Sequence, residues 1–480
     1  MACGKVVLVV LVLVGLAAAA SAGGHRSGRR GKSARLQLLP AAPDASLAQR
    51  ARDDRHRHAH ISARLAAARR RRSEETSPSS AGAVAASAFA MPLSSGAYTG
   101  TGQYFVRFRV GTPAQPFVLI ADTGSDLTWV KCRGDGAAPS ASPSHASSPS
   151  PSPSPPRVFR PSDSKTWTPI PCSSEACKLS IPFSLANCSS STAACSYDYR
   201  YNDNSAARGV VGTDSATVAL SGGRSDRKAK LQGVVLGCTA AYDGQGFEAS
   251  DGVLSLGYSN ISFASRAAAR FGGRFSYCLV DHLAPRNATS YLTFGTGPDA
   301  SSSSASSAAA RTPLLLDARV RPFYAVTVDS ISVDGVALDI PAEVWDVGSN
   351  GGTIIDSGTS LTVLASPAYK AVVAALSQHL AGLPRVTMDP FDFCYNWTSR
   401  GGDLAVPVPK LSLQFAGSAR LEPPAKSYVI DAAPGVKCIG VQEGAWPGVS
   451  VIGNILQQEH LWEFDITNRW LRFRQTRCTQ

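Results

Sequence analysis

After residue 22 this 480-residue chain has no segment long and apolar enough to cross a bilayer, which excludes a membrane span in the mature protein. Long charged helical patterns are scarce, while Gly, Pro and Ser abound; this is the texture of a globular, turn-rich protein. Length leaves room for two or three domains. Zinc-type cysteine spacing is missing too. Cys172, Cys177, Cys188 and Cys195 fall in Cys-x4-Cys and Cys-x6-Cys steps that suit zinc poorly, so no metal and no cofactor is expected. No Ser, His and Asp grouping commends a serine hydrolase, and His282, His379 and His460 read as surface or satisfied side chains.

Acidic residues are in short supply only at the front. The net charge is +12, but residues 23–80 hold fourteen Lys or Arg against five Asp or Glu, leaving residues 81–480 nearly balanced. The basic balance therefore does not imply nucleic-acid binding by the mature protein. Lys5, the apolar run Val6–Ala20 and Ala20-Ser21-Ala22 form the pattern of a secretory signal over 1–22, with a plastid transit peptide as the competing reading. The expected destination is the secretory route, outside the cell or in a vacuole; the alternative is the chloroplast. Residues 23–90 read as a basic propeptide or flexible segment, with Arg69–Arg72 as a processing site. A basic segment laid against an acidic cleft would hold that cleft shut.

Cysteine use fits that route. Cys3 lies in the signal, and ten remain: Cys132, Cys172, Cys177, Cys188, Cys195, Cys238, Cys278, Cys394, Cys438 and Cys478. An even count in a secreted chain implies disulfides, without fixing their pairing. Asn187, Asn260, Asn287 and Asn396 each begin an Asn-x-Ser/Thr sequon and are glycosylation candidates.

What the chain does have is one stretch written twice. Phe117-Val118-Leu119-Ile120-Ala121-Asp122-Thr123-Gly124-Ser125 has its counterpart in Gly352-Thr353-Ile354-Ile355-Asp356-Ser357-Gly358-Thr359-Ser360. Each is an apolar run, read as a buried strand, that ends in an acid, a hydroxyl residue, Gly and another hydroxyl residue. An acid there is costly unless satisfied, and nearby hydroxyls can satisfy it. Two such turns facing each other would set two carboxylates side by side, so that one stays protonated while the other acts as a base. Asp122 and Asp356 are the candidate catalytic pair, and Asp126 is expected to be a solvated turn residue.

Around these turns the texture is short strands. Tyr104–Val110 alternates with period two, Phe323–Val328 reads as a strand, and one helix is expected over Ala368–Leu380, opened by Ser366 as N-cap and Pro367. Residues 134–156 form a Ser/Pro-rich surface insertion, and 299–310 the joint between lobes. The whole reads as mostly β: two similar lobes, 91–310 and 311–480, with the cleft between them.

With these residues in view, the chain resembles the plant nepenthesin-like branch of the pepsin-type aspartic proteases over most of 100–478. Tyr197-Asp198-Tyr199-Arg200-Tyr201-Asn202-Asp203 resembles that branch's flap, here 197–212, with Asn202 and Asn204 where glycines are usual. The resemblance implies that Tyr201 covers the substrate, that Trp129 partners it, and that Thr123, Gly124, Ser125, Ser357, Gly358 and Thr359 support the carboxylates. Ser125 and Thr359 are expected to hydrogen-bond them. It also matches Gly257 and Gly453 to the glycines closing each lobe's loop, the stretch 172–195 to a cysteine-rich insertion, and Gln457-Gln458 to C-terminal strands. The implied activity is endopeptidase action on extended polypeptides at acidic pH, by a monomer. Two alternatives in related proteins are binding of microbial glycanases without proteolysis, and plastid nucleoid DNA binding through the basic front.

Overall fold

The alternation in Tyr104–Val110 becomes a strand over those same residues. Gly111, at φ +93, turns it antiparallel onto Gln115–Asp122. Phe117 through Asp122 is buried at every residue, because this strand is covered on both faces. Gly252–Ser255 lies parallel beside it, and Trp129–Lys131 runs antiparallel on the far side of that strand. The second lobe repeats the weave. Thr353–Ile355 sits between Tyr324–Val326 and the parallel Ser450–Ile452, with Thr362–Ala365 beyond at Val363–Val451. The chain is thus a mostly-β, bilobal fold in which the two acids leave equivalent strands.

This computed structural model describes residues 54–55, 58, 61, 89–95, 102–133, 140–141, 157–181, 190, 193–201, 205–220, 228–244, 247–285, 288–295, 310–400 and 407–479. The tract 299–309, the rest of the 134–156 insertion, the Arg69–Arg72 run, and Cys188, Asn187 and Asn287 lie outside them.

A shared sheet joins the lobes. Arg274–Cys278 pairs with His460–Asp465, which pairs with Trp470–Gln475, which pairs with Ala310–Pro313. Phe275 and Phe464 stack across it at 4.6 Å, and Cys278–Cys478 bridges it. Cys132–Cys238, Cys177–Cys195 and Cys394–Cys438 are the other described bridges, and Cys172 is disulfide-bonded as well. A bridge closing a loop of roughly 100 residues stabilises by about 4–5 kcal/mol in the chain-entropy picture.

The expected helix runs Ser366–His379, but its N-cap is Ala365; Ser366 donates its hydroxyl to Glu443 instead of capping. The strand expected over Phe323–Val328 is two, Tyr324–Val326 and Val328–Val333. A helix the sequence reading omits, Phe263–Phe271, packs Phe263, Ala264, Ala267, Ala268 and Phe271 inward. Ser262 caps its start and left-handed Gly272 ends it.

Candidate active site

Asp122 closes its strand and Asp356 follows Thr353–Ile355; both are buried. Each Oδ1 accepts the N–H of the glycine two residues on, Gly124 or Gly358, at 2.9 Å. The hydroxyl residues between make a reciprocal clasp. Thr123 N–H donates to Ser357 Oγ at 3.0 Å, and Ser357 N–H to Thr123 Oγ1 at 2.8 Å. The same hydroxyls donate onward across the lobes, Ser357 to Ala121 O at 2.9 Å and Thr123 to Ile355 O at 3.4 Å. Each hydroxyl thus accepts one hydrogen and gives one, which satisfies it away from water. The clasp fixes the two turns face to face about a local two-fold.

The supporting hydroxyls differ. Thr359 Oγ1 donates to Asp356 Oδ2 at 2.6 Å, as expected. Ser125 Oγ is buried without a hydrogen-bond partner among the described residues, contrary to expectation. Threonine is stiff at χ1, whereas serine lacks the γ-methyl that would restrict its hydroxyl rotamer.

Further support comes from Gln457, which the resemblance placed only in C-terminal strands, and from Asn454 and Tyr277, which the sequence reading left without a role. Asn454 Nδ2 donates to Ser357 O and Gly102 O, and Gln457 Nε2 to Asp356 O and Ile452 O. Tyr277 in turn donates to Gln457 Oε1. Asn454 through Glu459 form turns, not a strand. Asn454 and Gln457 spend their side chains on the Asp356 loop, while Gln458 donates to Tyr104 Oη and Glu459 accepts the N–H of Asp281 and of Cys478. The match of Gly257 with Gly453 also needs correction. Asp122 pairs with Ser255, while Ile355 pairs with Ile452, so Gly453 has Ser255 as its counterpart.

The flap is a hairpin of Ser196–Arg200 and Ala206–Ala219, with Arg200 opposite Ala206. Asn202, Asp203 and Asn204 lie outside the described residues. Trp129 Nε1–H donates to Tyr201 Oη at 2.5 Å. Phe247, which the sequence did not single out, packs edge-on to both rings at 5.0 and 5.1 Å. Burial pushes the Tyr201 hydroxyl well above its usual range, and the charges of Tyr199 and Asp122 push the same way. It stays a neutral donor.

Asp126 is not solvated. It is buried and accepts the Tyr199 hydroxyl hydrogen at 2.8 Å, because the flap strand folds over its turn. Lys131, two residues after Trp129, is also buried; its Nζ donates to Phe247 O and lies 4.3 Å from the centre of the Tyr242 ring. Burial brings its ammonium down to about 8, against the opposing pull of Asp251 and Glu248. Of the sequons, Asn260 is exposed, and Asn396 accepts from Thr398. Among the described residues no group of three or more His, Cys, Asp or Glu is placed to hold a metal, and no helix is long and apolar enough to cross a membrane.

Family profiles described as xylanase inhibitor N-terminal and C-terminal match residues 104–296 and 323–475. "Aspartyl protease family protein 2" of Arabidopsis thaliana is 33% identical over 395 residues, covering 81% of this chain and 74% of the relative. Nepenthesin-2 of Nepenthes gracilis, an aspartic proteinase, is 31% identical over 390 residues, covering 79% of each. The chain belongs to the pepsin-like aspartic protease family, in its nepenthesin-like branch. Among solved structures, edgp superposes with a TM-score of 0.63 at 21% identity, covering 82% of this chain and 96% of that one. The basic 7S globulin of soybean gives 0.57 at 20% identity, covering 80% and 94%. These two likenesses establish the fold alone. Within the pepsin-like family, the clasped Asp122 and Asp356 turns are this chain's own site geometry.

Proposed function

We propose that this chain is an aspartic endopeptidase that hydrolyses extended polypeptides in acid. The observation that carries the reading is the Thr123–Ser357 clasp, which ties together the two turns that carry the buried carboxylates of Asp122 and Asp356. Two carboxyls so placed share one proton. The ionised one takes a proton from a water as that water attacks the scissile carbonyl, and the protonated one donates to the developing oxyanion. When the tetrahedral intermediate collapses, a carboxyl returns a proton to the departing amine. No bond to the enzyme forms at any step. Substrate lies as an extended strand in the cleft, under the Tyr201 flap.

The protein works as a monomer that reaches the outside of the cell or a vacuole; its bridges suit that route. The test is cleavage of a denatured protein by oxidatively folded chain between pH 3 and 7, with and without a pepstatin-type transition-state mimic. Acid-dependent cleavage that the mimic stops is the expected result. Folded protein that cleaves nothing at any of these pH values contradicts the proposal, and leaves a binding role for the fold.

A further inference from the structure

In the N-terminal lobe, the face carrying Ile120, Trp129 and Val253 is covered by the flap strand through Tyr197 and Tyr199. Register puts Ile354, Val363 and Val451 at the equivalent positions of the C-terminal lobe. Ile61 covers that face, packed with those three residues and with Val320 and Phe323. Asp54, His58 and Ile61, spaced i, i+4 and i+7, each have helical conformation, and all three are buried. His58 Nε2 bonds the Val449 carbonyl at 2.5 Å. The Asp54 carboxylate accepts Ser360 N–H at 2.9 Å and Leu361 N–H at 2.6 Å, four and five residues after Asp356.

Two adjacent backbone N–H groups aimed at one carboxylate, with an acceptor and an apolar patch in line, make a built site. We infer that the Ser360 and Leu361 N–H pair is a carboxylate-binding subsite of the C-terminal lobe, and that its occupant in the intact chain is the segment Asp54 to Ile61. Asp54 bonds the loop that follows Asp356, so the docked segment restrains one wall of the candidate site. This consequence for activity rests on the protease reading; the docking itself does not. Among the described residues of 23–80, the docked side chains are one acid, one imidazole and one aliphatic, while Arg55 is exposed. Burial holds the His58 imidazole below its usual range, so the docked form is the neutral one.

Gly444 offers an independent handle, because a Cβ there would lie 2.6 Å from His58 Cε1 and 2.8 Å from Nε2. The experiment uses full chain carrying Asp54→Asn or Gly444→Ala, with amide hydrogen exchange read at Ser360 and Leu361. Exchange at both amides should rise about tenfold or more in each variant, since charge-assisted bonds are lost. A peptide of residues 46–68, added to the Asp54→Asn chain, should restore protection. The same peptide with Asp54→Asn should need at least about tenfold more to do so. Unchanged exchange in both variants, or equal restoration by the two peptides, overturns the subsite. Faster exchange together with faster peptide hydrolysis by the uncleaved chain supports it. Faster exchange with no hydrolysis at any pH keeps the subsite and removes the protease reading.

Discussion

Ser255 occupies beside Asp122 the place that Gly453 occupies beside Asp356. The backbone N–H of each donates to the matching threonine, Ser255 to Thr128 Oγ1 at 3.1 Å and Gly453 to Thr362 Oγ1 at 3.2 Å. The two lobes have therefore kept one bond and diverged at one side chain. The Ser255 hydroxyl bonds Thr128 Oγ1 at 2.8 Å and accepts Phe263 N–H, the first free donor of the helix Phe263–Phe271. A Cβ at Gly453 would meet Leu361 O at 2.4 Å and Ser360 O at 2.7 Å, both fixed backbone of the Asp356 loop. Ser255→Gly should cost about 1–2 kcal/mol of stability and leave most activity. Gly453→Ala should remove activity. Denaturant melts and peptide hydrolysis on the two variants check both halves; equal effects on activity would break the asymmetry.

Tyr201 is tied to the N-terminal lobe through the indole of Trp129. Tyr201→Phe removes the bond and keeps the ring contacts with Tyr199 and Phe247. Peptide hydrolysis should show kcat down about tenfold to a hundredfold, with KM changed less, because a positioned donor contributes mainly in the transition state. A rise in KM with kcat unchanged would instead assign Tyr201 to uniform binding.

Asp126 fixes the root of the flap by accepting the Tyr199 hydroxyl. Asp126→Ala leaves that hydroxyl buried without its acceptor, a loss of about 1–3 kcal/mol. Asp126→Asn keeps an acceptor oxygen and should cost less. Thermal melting orders the pair; equal destabilisation would show that the charge, not the bond, matters.

Lys131 gives a pH signature. In the folded protein its ammonium titrates at about 8, against an ordinary value of 10.5. The unfolded chain holds this proton more tightly, so stability should rise as pH climbs from about 8 to about 10.5. Lys131→Met should lack that rise. Denaturant midpoints for both proteins across this window provide the measurement, and parallel curves would show Lys131 to be ordinary.

The Asp122 and Asp356 turns were legible because their signal is local and doubled: an apolar run, an acid, a hydroxyl and a glycine. Strand Tyr104–Val110 was legible for the same reason, its period lying in seven consecutive residues. What escaped depended on distant partners. Asp126 looks solvated until Tyr199, 73 residues on, is folded over it. Ser255 cannot be matched to Gly453 by looking for glycine, since only strand register aligns them. Asp54 reads as one acid in a basic tract, and its donors lie more than 300 residues away. Phe263–Phe271 escaped as a nine-residue helix whose inward face is largely alanine.

On the proposed mechanism, Asp122 and Asp356 form one catalytic unit. The direct measurement compares Asp122→Asn, Asp356→Asn and the double variant with the unsubstituted chain, each checked for folding by circular dichroism. Residues that act as a unit are non-additive, so each single variant should lose at least about a thousandfold in kcat and the double variant little more. Substantial activity in either folded single variant would show that the two carboxyls do not act as a unit.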